Sequence, residues 1–289
     1  MQRVSAANEE AIEAWNGVLF DRFLQYRDTL VTGLGAHSDR ALQELPPRRG
    51  DRVLDIGCGF GETTQQLGEL VGTDGEALGI DAAPRFIEMA RDEVERAGVD
   101  NVRFEVADIE AAELERGFDY AFGRMGTMFF ANPVAAHRNI CRALEPGGRL
   151  CTVVWRRKFD NEWLYRAEQV VEEFVSEPEE TDEPTCGPGP FALADADVTS
   201  QILLSAGFTD IGLRRCDLPF RVGRDLDQAV ALVMALGRAG EVIRLAGEEA
   251  EQIRPEIEAA LRGALADFDG PDGVISTASS WIVTATSAP

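Results

Sequence analysis

Three aspartates, each closing a short apolar run, hold most of the chemical information in this chain. Asp55 stands in "VLDIGCGFGETT" at 53–64, Asp81 ends "GID" at 79–81, and Asp108 sits in "ADIE" at 107–110. After Asp55 come three glycines, Gly57, Gly59 and Gly61. Glycines at a strand's exit permit a tight reversal and let a ligand approach the main chain, and the amides opening the next helix favour an anionic group. The ligand therefore carries a carboxylate or a phosphate. Asp81 can accept both hydroxyls of a ribose, a role compatible with capping the helix that Pro84 begins. Asp108 can accept from an adenine amine while Ile109 packs on the ring. A dinucleotide would need a G-x-G-x-x-G pattern, but position 62 is Glu62, whose carboxylate would face a pyrophosphate. Together with the lack of a Tyr-x-x-x-Lys pair, this disfavours an NAD-dependent oxidoreductase.

These residues need a frame that lines up the ends of successive strands. "RVLDI", "EALGID", "NVRFEVAD", "FDYAFGR" and "RLCTVVW" read as strands separated by helical patterns, followed later by "DIGLRRCDL" and "SSWIVTAT". The fold class is α/β: a doubly wound, mostly parallel seven-stranded sheet with helices on both faces, whose ligands sit beyond the carboxyl ends of the strands. Ile12, Trp15, Leu19, Phe23, Tyr26 and Leu30 recur at helical spacing before Pro46 and Pro47 stop the pattern. The expected organisation is one domain over 1–289. It comprises a helical cover at 1–48, a cofactor-binding core at 49–156, a lid insertion at 157–197, and the rest of the sheet and helices at 198–289. Within the insertion, "EEFVSEPEETDEPTCGPGP" reads either as a solvated loop or as a lid over the site.

A net charge of −23 repels phosphate backbones and anionic lipid, so neither nucleic acid nor a membrane is an expected partner. No run approaches 18 apolar residues, and "MQRVSAANEE" lacks the features of a secretory signal, so the expected location is cytoplasmic. The five cysteines are odd in number and widely spaced, and the two histidines, His37 and His137, stand far apart. The cysteines read as reduced thiols, and no metal site is expected.

In order and spacing, "VLDIGCGFGETT", "GID", "ADIE", "FDYAFGRMGTMFF" and "LEPGGRL" resemble the motifs of class I S-adenosylmethionine-dependent methyltransferases, closest to the ubiquinone and menaquinone biosynthesis type. The resemblance covers about 50–156. It implies S-adenosyl-L-methionine as cofactor, with Asp55, Gly57, Cys58 and Gly59 at its methionine end, helped by Thr63 and Thr64. It also implies Asp81 with Ala82 at the ribose, Asp108 with Ile109 at the adenine, and the main chain of Arg124 and Met125 at the sulfonium side.

A sulfonium already carries an activated methyl group, so the protein need only align an acceptor for in-line displacement and exclude water. An Asn/Asp-Pro-Pro-aromatic turn, the mark of nucleic-acid amine methylases, is absent after strand four. Met125, Met128 and Phe129, with Trp155 beyond them, instead suggest an apolar wall for a small organic substrate, methylated at oxygen, with nitrogen and carbon left open. Core packing explains about half of these residues equally well. His37 is the candidate general base, with a surface position as the alternative; Arg124 could bind a substrate carboxylate or only neutralise nearby acids. A non-catalytic cofactor-binding domain is the remaining alternative, and homodimerisation is left open.

Overall fold

The computed structural model describes residues 4–175 and 188–288. Seven strands form its sheet: β1 (Arg52–Ile56), β2 (Glu76–Asp81), β3 (Val102–Val106), β4 (Phe118–Arg124), β5 (Leu144–Trp155), β6 (Phe208–Gly223) and β7 (Gly273–Ser287). Their spatial order is β3-β2-β1-β4-β5-β7-β6, and the two-residue segment Asp269–Gly270 folds back on the start of β7. β1 to β5 run parallel, while β7 is antiparallel to both β5 and β6. The central strands are apolar on both faces because helices cover both: Val53, Leu54, Ile56, Tyr120, Ala121 and Phe122 are all fully buried.

The N-terminal cover consists of α1 (Glu9–Ala14), a π-helical turn at Trp15–Leu19, α2 (Phe20–Gln25) and α3 (Arg27–Glu44), with α3 lying against β6 and β5. In the core, α4 (Glu62–Val71), α5 (Pro84–Ala97) and α6 (Pro133–Ala143) connect the parallel strands. Pro84 occupies the first turn of α5, and Gly98 ends the helix with φ +64°. The Asn132 side chain caps α6 by accepting from the Ala135 N–H at 3.0 Å.

The remaining elements depart from the sequence reading in two places, at β6 and in the helices after it. The stretch 157–175 is a short turn followed by α7 (Glu162–Phe174), and the acidic run at 176–187 lies outside the described residues. After α8 (Ala196–Ala206), β6 continues through Pro219 to Gly223, where the sequence suggested a stop at Leu218. β6 is an edge strand, so Pro219 forfeits no ladder bond on its open side. Four helices follow in place of two: α9 (Leu226–Ala235), α10 (Gly237–Ala246), α11 (Glu248–Gln252) and α12 (Arg254–Leu265). Gly237 and Gly247, at φ +75° and +54°, supply the breaks, and α7 packs against α10 and α12. Among the described residues, no helix is long and apolar enough to cross a membrane.

Candidate active site

A cavity of about 880 Å³ opens beyond the carboxyl ends of β1 to β5, roofed by the N-terminal helices on one side and by α7, α9 and α10 on the other. One wall is a polar ribbon in which Gly57, Cys58 and Gly59 follow β1, Asp81 and Ala82 end β2, Asp108 and Ile109 follow β3, and Arg124 ends β4. The parallel register places these strand ends side by side, so a constellation spread over 68 residues of sequence becomes one strip. Asp55, Thr63 and Thr64 are buried behind the glycine turn and do not reach the wall.

The glycines serve the turn for different reasons. Gly57, Gly59 and Gly61 have φ of +66°, +55° and +84°. A Cβ on Gly57 would lie 3.0 Å from the Gly126 Cα, and one on Gly61 would lie 2.6 Å from the Phe104 ring, so both positions exclude a side chain by packing as well as by backbone angle. Gly59 has nothing closer than 3.9 Å and faces open space. Four of the turn's amides are taken within the protein, which narrows the sequence expectation to the amides that open α4. Gly57 and Cys58 donate to the Ile80 carbonyl at 2.8 and 3.1 Å, Gly59 donates to Asp81 Oδ2 at 3.0 Å, and Gly61 donates to the Cys58 carbonyl at 3.0 Å.

Beneath the turn, Asp55 accepts from the Thr64 hydroxyl at 2.7 Å, and burial raises its carboxyl to about 7. Burial likewise pushes the Cys58 thiol far up, so it stays protonated and is no nucleophile. Asp81 accepts from Gly59 through one oxygen and from the Ala83 N–H at 2.9 Å through the other, so it braces both the glycine turn and the start of α5. Burial raises its carboxyl against the pull of those amides.

Asp108 is held by the N-terminal cover, a contact that no local motif signals. Its oxygens accept from the Ser5 N–H at 2.8 Å, from Asn8 Nδ2 at 3.1 Å each, and from the Glu110 N–H at 3.0 Å. Both oxygens are therefore already doubly engaged.

Met125, Met128, Phe129 and Trp155 all line the cavity. Sequence reasoning missed their partners. Trp15 and Phe23, assigned to the cover's packing stripe, also face the cavity, and the Trp15 ring meets that of Phe129 edge-on at 5.0 Å. Trp163 of α7 and Leu232 and Leu236 at α9 extend the apolar wall. Two charged pairs sit there as well, Lys158–Glu168 at 2.7 Å and Glu241–Arg244 at 2.9 Å.

His37 occupies neither of its expected places. It is fully buried on α3 and absent from the cavity wall; its Nδ1 lies 2.8 Å from the Ser280 hydroxyl, and its ring meets Trp155 edge-on at 6.4 Å. Burial pushes it down to about 4, leaving it neutral. His137 is also buried, its Nδ1 2.7 Å from the Pro133 carbonyl oxygen. Arg156 pairs with Asp217 at 2.6 Å, away from the wall.

The family model described as a methyltransferase domain matches residues 47–197, just over half of the chain. The chain belongs to this methyltransferase family, the class I kind that its motifs resemble. Among curated proteins it is similar to aklanonic acid methyltransferase DauC of Streptomyces sp. (strain C5), 39% identical over 133 residues, 45% of this chain and 60% of that one. It is also similar to the ubiquinone/menaquinone biosynthesis C-methyltransferase UbiE of Azotobacter vinelandii, 40% identical over 126 residues, 43% of this chain and 50% of that one. The chain thus spans half to three fifths of the length of these two relatives. Among solved structures, phosphoethanolamine N-methyltransferase 2 of Haemonchus contortus, described with S-adenosylhomocysteine, has a TM-score of 0.57 at 16% identity. That likeness covers 99% of this chain and 61% of that one, and it speaks for the fold.

Proposed function

We propose that this protein is an S-adenosylmethionine-dependent methyltransferase that methylates a small, largely apolar organic acid at oxygen. The observation carrying this reading is the continuity of one cavity, which joins the polar ribbon to a chamber walled by Trp15, Phe23, Phe129, Trp155 and Trp163. The ribbon fits an adenosyl amino acid. Gly59 leaves open space beside the turn, and Asp81 keeps lone pairs for ribose hydroxyls beyond its two amide bonds. Asp108 and Ile109 suit an adenine once the N-terminal segment yields a donor position. When bound, S-adenosylmethionine supplies an activated methyl group on a cationic sulfur. The protein's own contribution is then alignment and exclusion of water. A non-catalytic binding domain would need no chamber beyond the ribbon.

The choice of oxygen, and of an acid, rests on proton traffic. The described wall has no histidine or tyrosine. Its carboxylates are all engaged: Glu62 by Arg27, Asp81 by two amides, Asp108 by the cover, Glu168 by Lys158 and Glu241 by Arg244. A phenol or carbon acid must lose a proton to react, whereas a carboxylic acid is already ionised at neutral pH and needs no base. A relative named for an acid, aklanonic acid, supports the same choice.

Incubation with methyl-labelled S-adenosylmethionine and a panel of polycyclic aromatic acids, phenols and quinols tests the proposal. Label should pass to the acids and be released as methanol on mild saponification. Label that survives saponification would move the reaction to carbon or a phenol, and no transfer to any acceptor would defeat the reading.

A further inference from the structure

We propose that Arg124 is the carboxylate-receiving residue of the methyl-transfer cavity, an inference that rests on the methyltransferase reading above. β1 pairs with β4 so that Asp55 lies beside Phe122, and the chain leaving β4 through Arg124 reaches the glycine turn, where a Cβ on Gly57 would lie 3.0 Å from the Gly126 Cα. That turn is where an amino-acid carboxylate would be received by main-chain amides, but the amides of Gly57, Cys58, Gly59 and Gly61 are all occupied within the protein. Those four cannot also hold the anion, and a side-chain donor beside the amides that open α4 would supply the charge-assisted contact they lack.

Arg124 is on the wall, and its guanidinium makes no hydrogen bond or ion pair with any described residue. The acids whose charge reaches it are held elsewhere: Glu62 by Arg27 at 2.6 Å, Asp55 by Thr64 at 2.7 Å, and Asp39 by Gln66 at 2.7 Å. Burial lowers Arg124 despite these three carboxylates, so its desolvation is not balanced from within the chain. Other cations on the wall are in use. Arg22 donates to the Ala235 carbonyl at 3.0 Å, Arg27 bridges two glutamates, and Lys158 pairs with Glu168. A guanidinium presents a planar fork of donors that matches a carboxylate in two-point contact. A partly buried one with open donors beside the glycine turn is a preformed half of such a pair.

The carboxylate has two possible sources, the amino-acid end of the cofactor or an acid acceptor. Calorimetric titration of the full chain and of Arg124→Gln and Arg124→Lys separates them. The probes are S-adenosylhomocysteine and 5′-methylthioadenosine, which lacks the amino acid, and anthraquinone-2-carboxylate and its methyl ester, each of these two measured with and without S-adenosylhomocysteine. If the cofactor is the source, Arg124→Gln weakens S-adenosylhomocysteine about ten- to hundredfold and leaves methylthioadenosine unchanged. If the acceptor is the source, S-adenosylhomocysteine is unchanged, and the anthraquinone acid, but not its ester, loses that factor. Arg124→Lys should recover part of either loss. Unaltered affinities for both carboxylates overturn the proposal, most clearly with a lowered Tm, the behaviour of a cation that only neutralises Asp55 and Glu62. A wild-type chain that binds no S-adenosylhomocysteine would defeat the methyltransferase reading instead, and the anthraquinone arm would still judge Arg124.

Discussion

Asn8 and Asp108, 100 positions apart in sequence, are joined by an amide nitrogen lying 3.1 Å from both carboxylate oxygens. With the Ser5 N–H on Oδ2, this contact seats the start of the chain on the position proposed for the adenine amine. An incoming adenine must displace one of these donors, so binding of the cofactor opposes the docked position of residues 5–8 and favours their release. Asn8→Ala should therefore tighten S-adenosylhomocysteine binding by a few fold, about 1 kcal/mol. In hydrogen exchange, the Ser5 amide should lose protection when the ligand is added. Increased protection at Ser5 would mean that the segment stays in place over the adenine.

The cover is tied to the core at a second point, by Arg27. Its guanidinium reaches Glu93 of α5 through two contacts of 2.6 and 2.8 Å and Glu62 of α4 at 2.6 Å, and it lies 4.6 Å from the centre of the Phe60 ring. All three charged side chains are about three quarters covered, so solvent screening is incomplete. Arg27→Gln should cost about 1–2 kcal/mol and lower Tm by roughly 2–6 °C in a thermal melt. Arg27→Lys should recover less than half of that, since an ammonium cannot reproduce the fork. Full recovery by lysine would reduce the contact to simple charge attraction.

Acid lability follows from the two buried histidines. Burial holds both His37 and His137 at about 4, below the ordinary 6.5, so the stability they contribute is complete above pH 6.5 and is lost as pH falls toward 4. Asp55 works in the opposite sense. Raised from 3.8 to about 7, it contributes stability below its unfolded value, and that contribution disappears as pH rises through 7. Between pH 6.5 and 4 the unfolded chain therefore binds one more proton than the fold at these three groups. Each pH unit lost costs about 1.4 kcal/mol from them. Urea midpoints measured from pH 7 to 4.5 should show this slope shrinking by about 1.4 kcal/mol per unit in His137→Gln. Parallel slopes would place His137 in contact with solvent.

What the sequence made legible was whatever local rules govern. Asp81 and Asp108 could be placed at strand ends because apolar runs, Pro84 and Gly98 punctuate each strand and helix within a few residues. The cavity wall at Met125, Met128, Phe129 and Trp155 followed from the same placement. Long-range contacts were not legible: Ser280 meets His37 across 243 residues, and Asn8 meets Asp108 across 100. No periodicity encodes either pairing. β6 was cut short in the reading because Pro219 ends a central strand but not an edge one, and only the assembled sheet reveals which strand is the edge. The occupied amides of Gly57, Cys58 and Gly59 were hidden for a related reason, since their acceptors, the Ile80 carbonyl and Asp81, belong to the neighbouring strand.

The strained residue Met125 gives the sharpest local test. Gly126 presses against β1, where a Cβ would come within 3.0 Å of the Gly57 Cα and 3.1 Å of the Ile56 carbonyl oxygen. The chain leaving β4 must turn away at once, and Met125 does so at φ +57°, anchored by its N–H donating to the Val153 carbonyl at 2.8 Å. A left-handed conformation costs a side-chain-bearing residue about 1–2 kcal/mol. Met125→Ala keeps that cost and loses the side chain's packing in the cavity, whereas Met125→Gly loses the same packing but removes the cost. Glycine should therefore exceed alanine here by about 1 kcal/mol in urea unfolding, the reverse of their usual order. Both variants should raise KM for the acceptor more than they lower kcat, since the thioether belongs to the wall of the chamber. Alanine proving as stable as glycine would mean that the turn relaxes out of the left-handed region in solution, and with it the fixed position of the chamber wall beside Gly57.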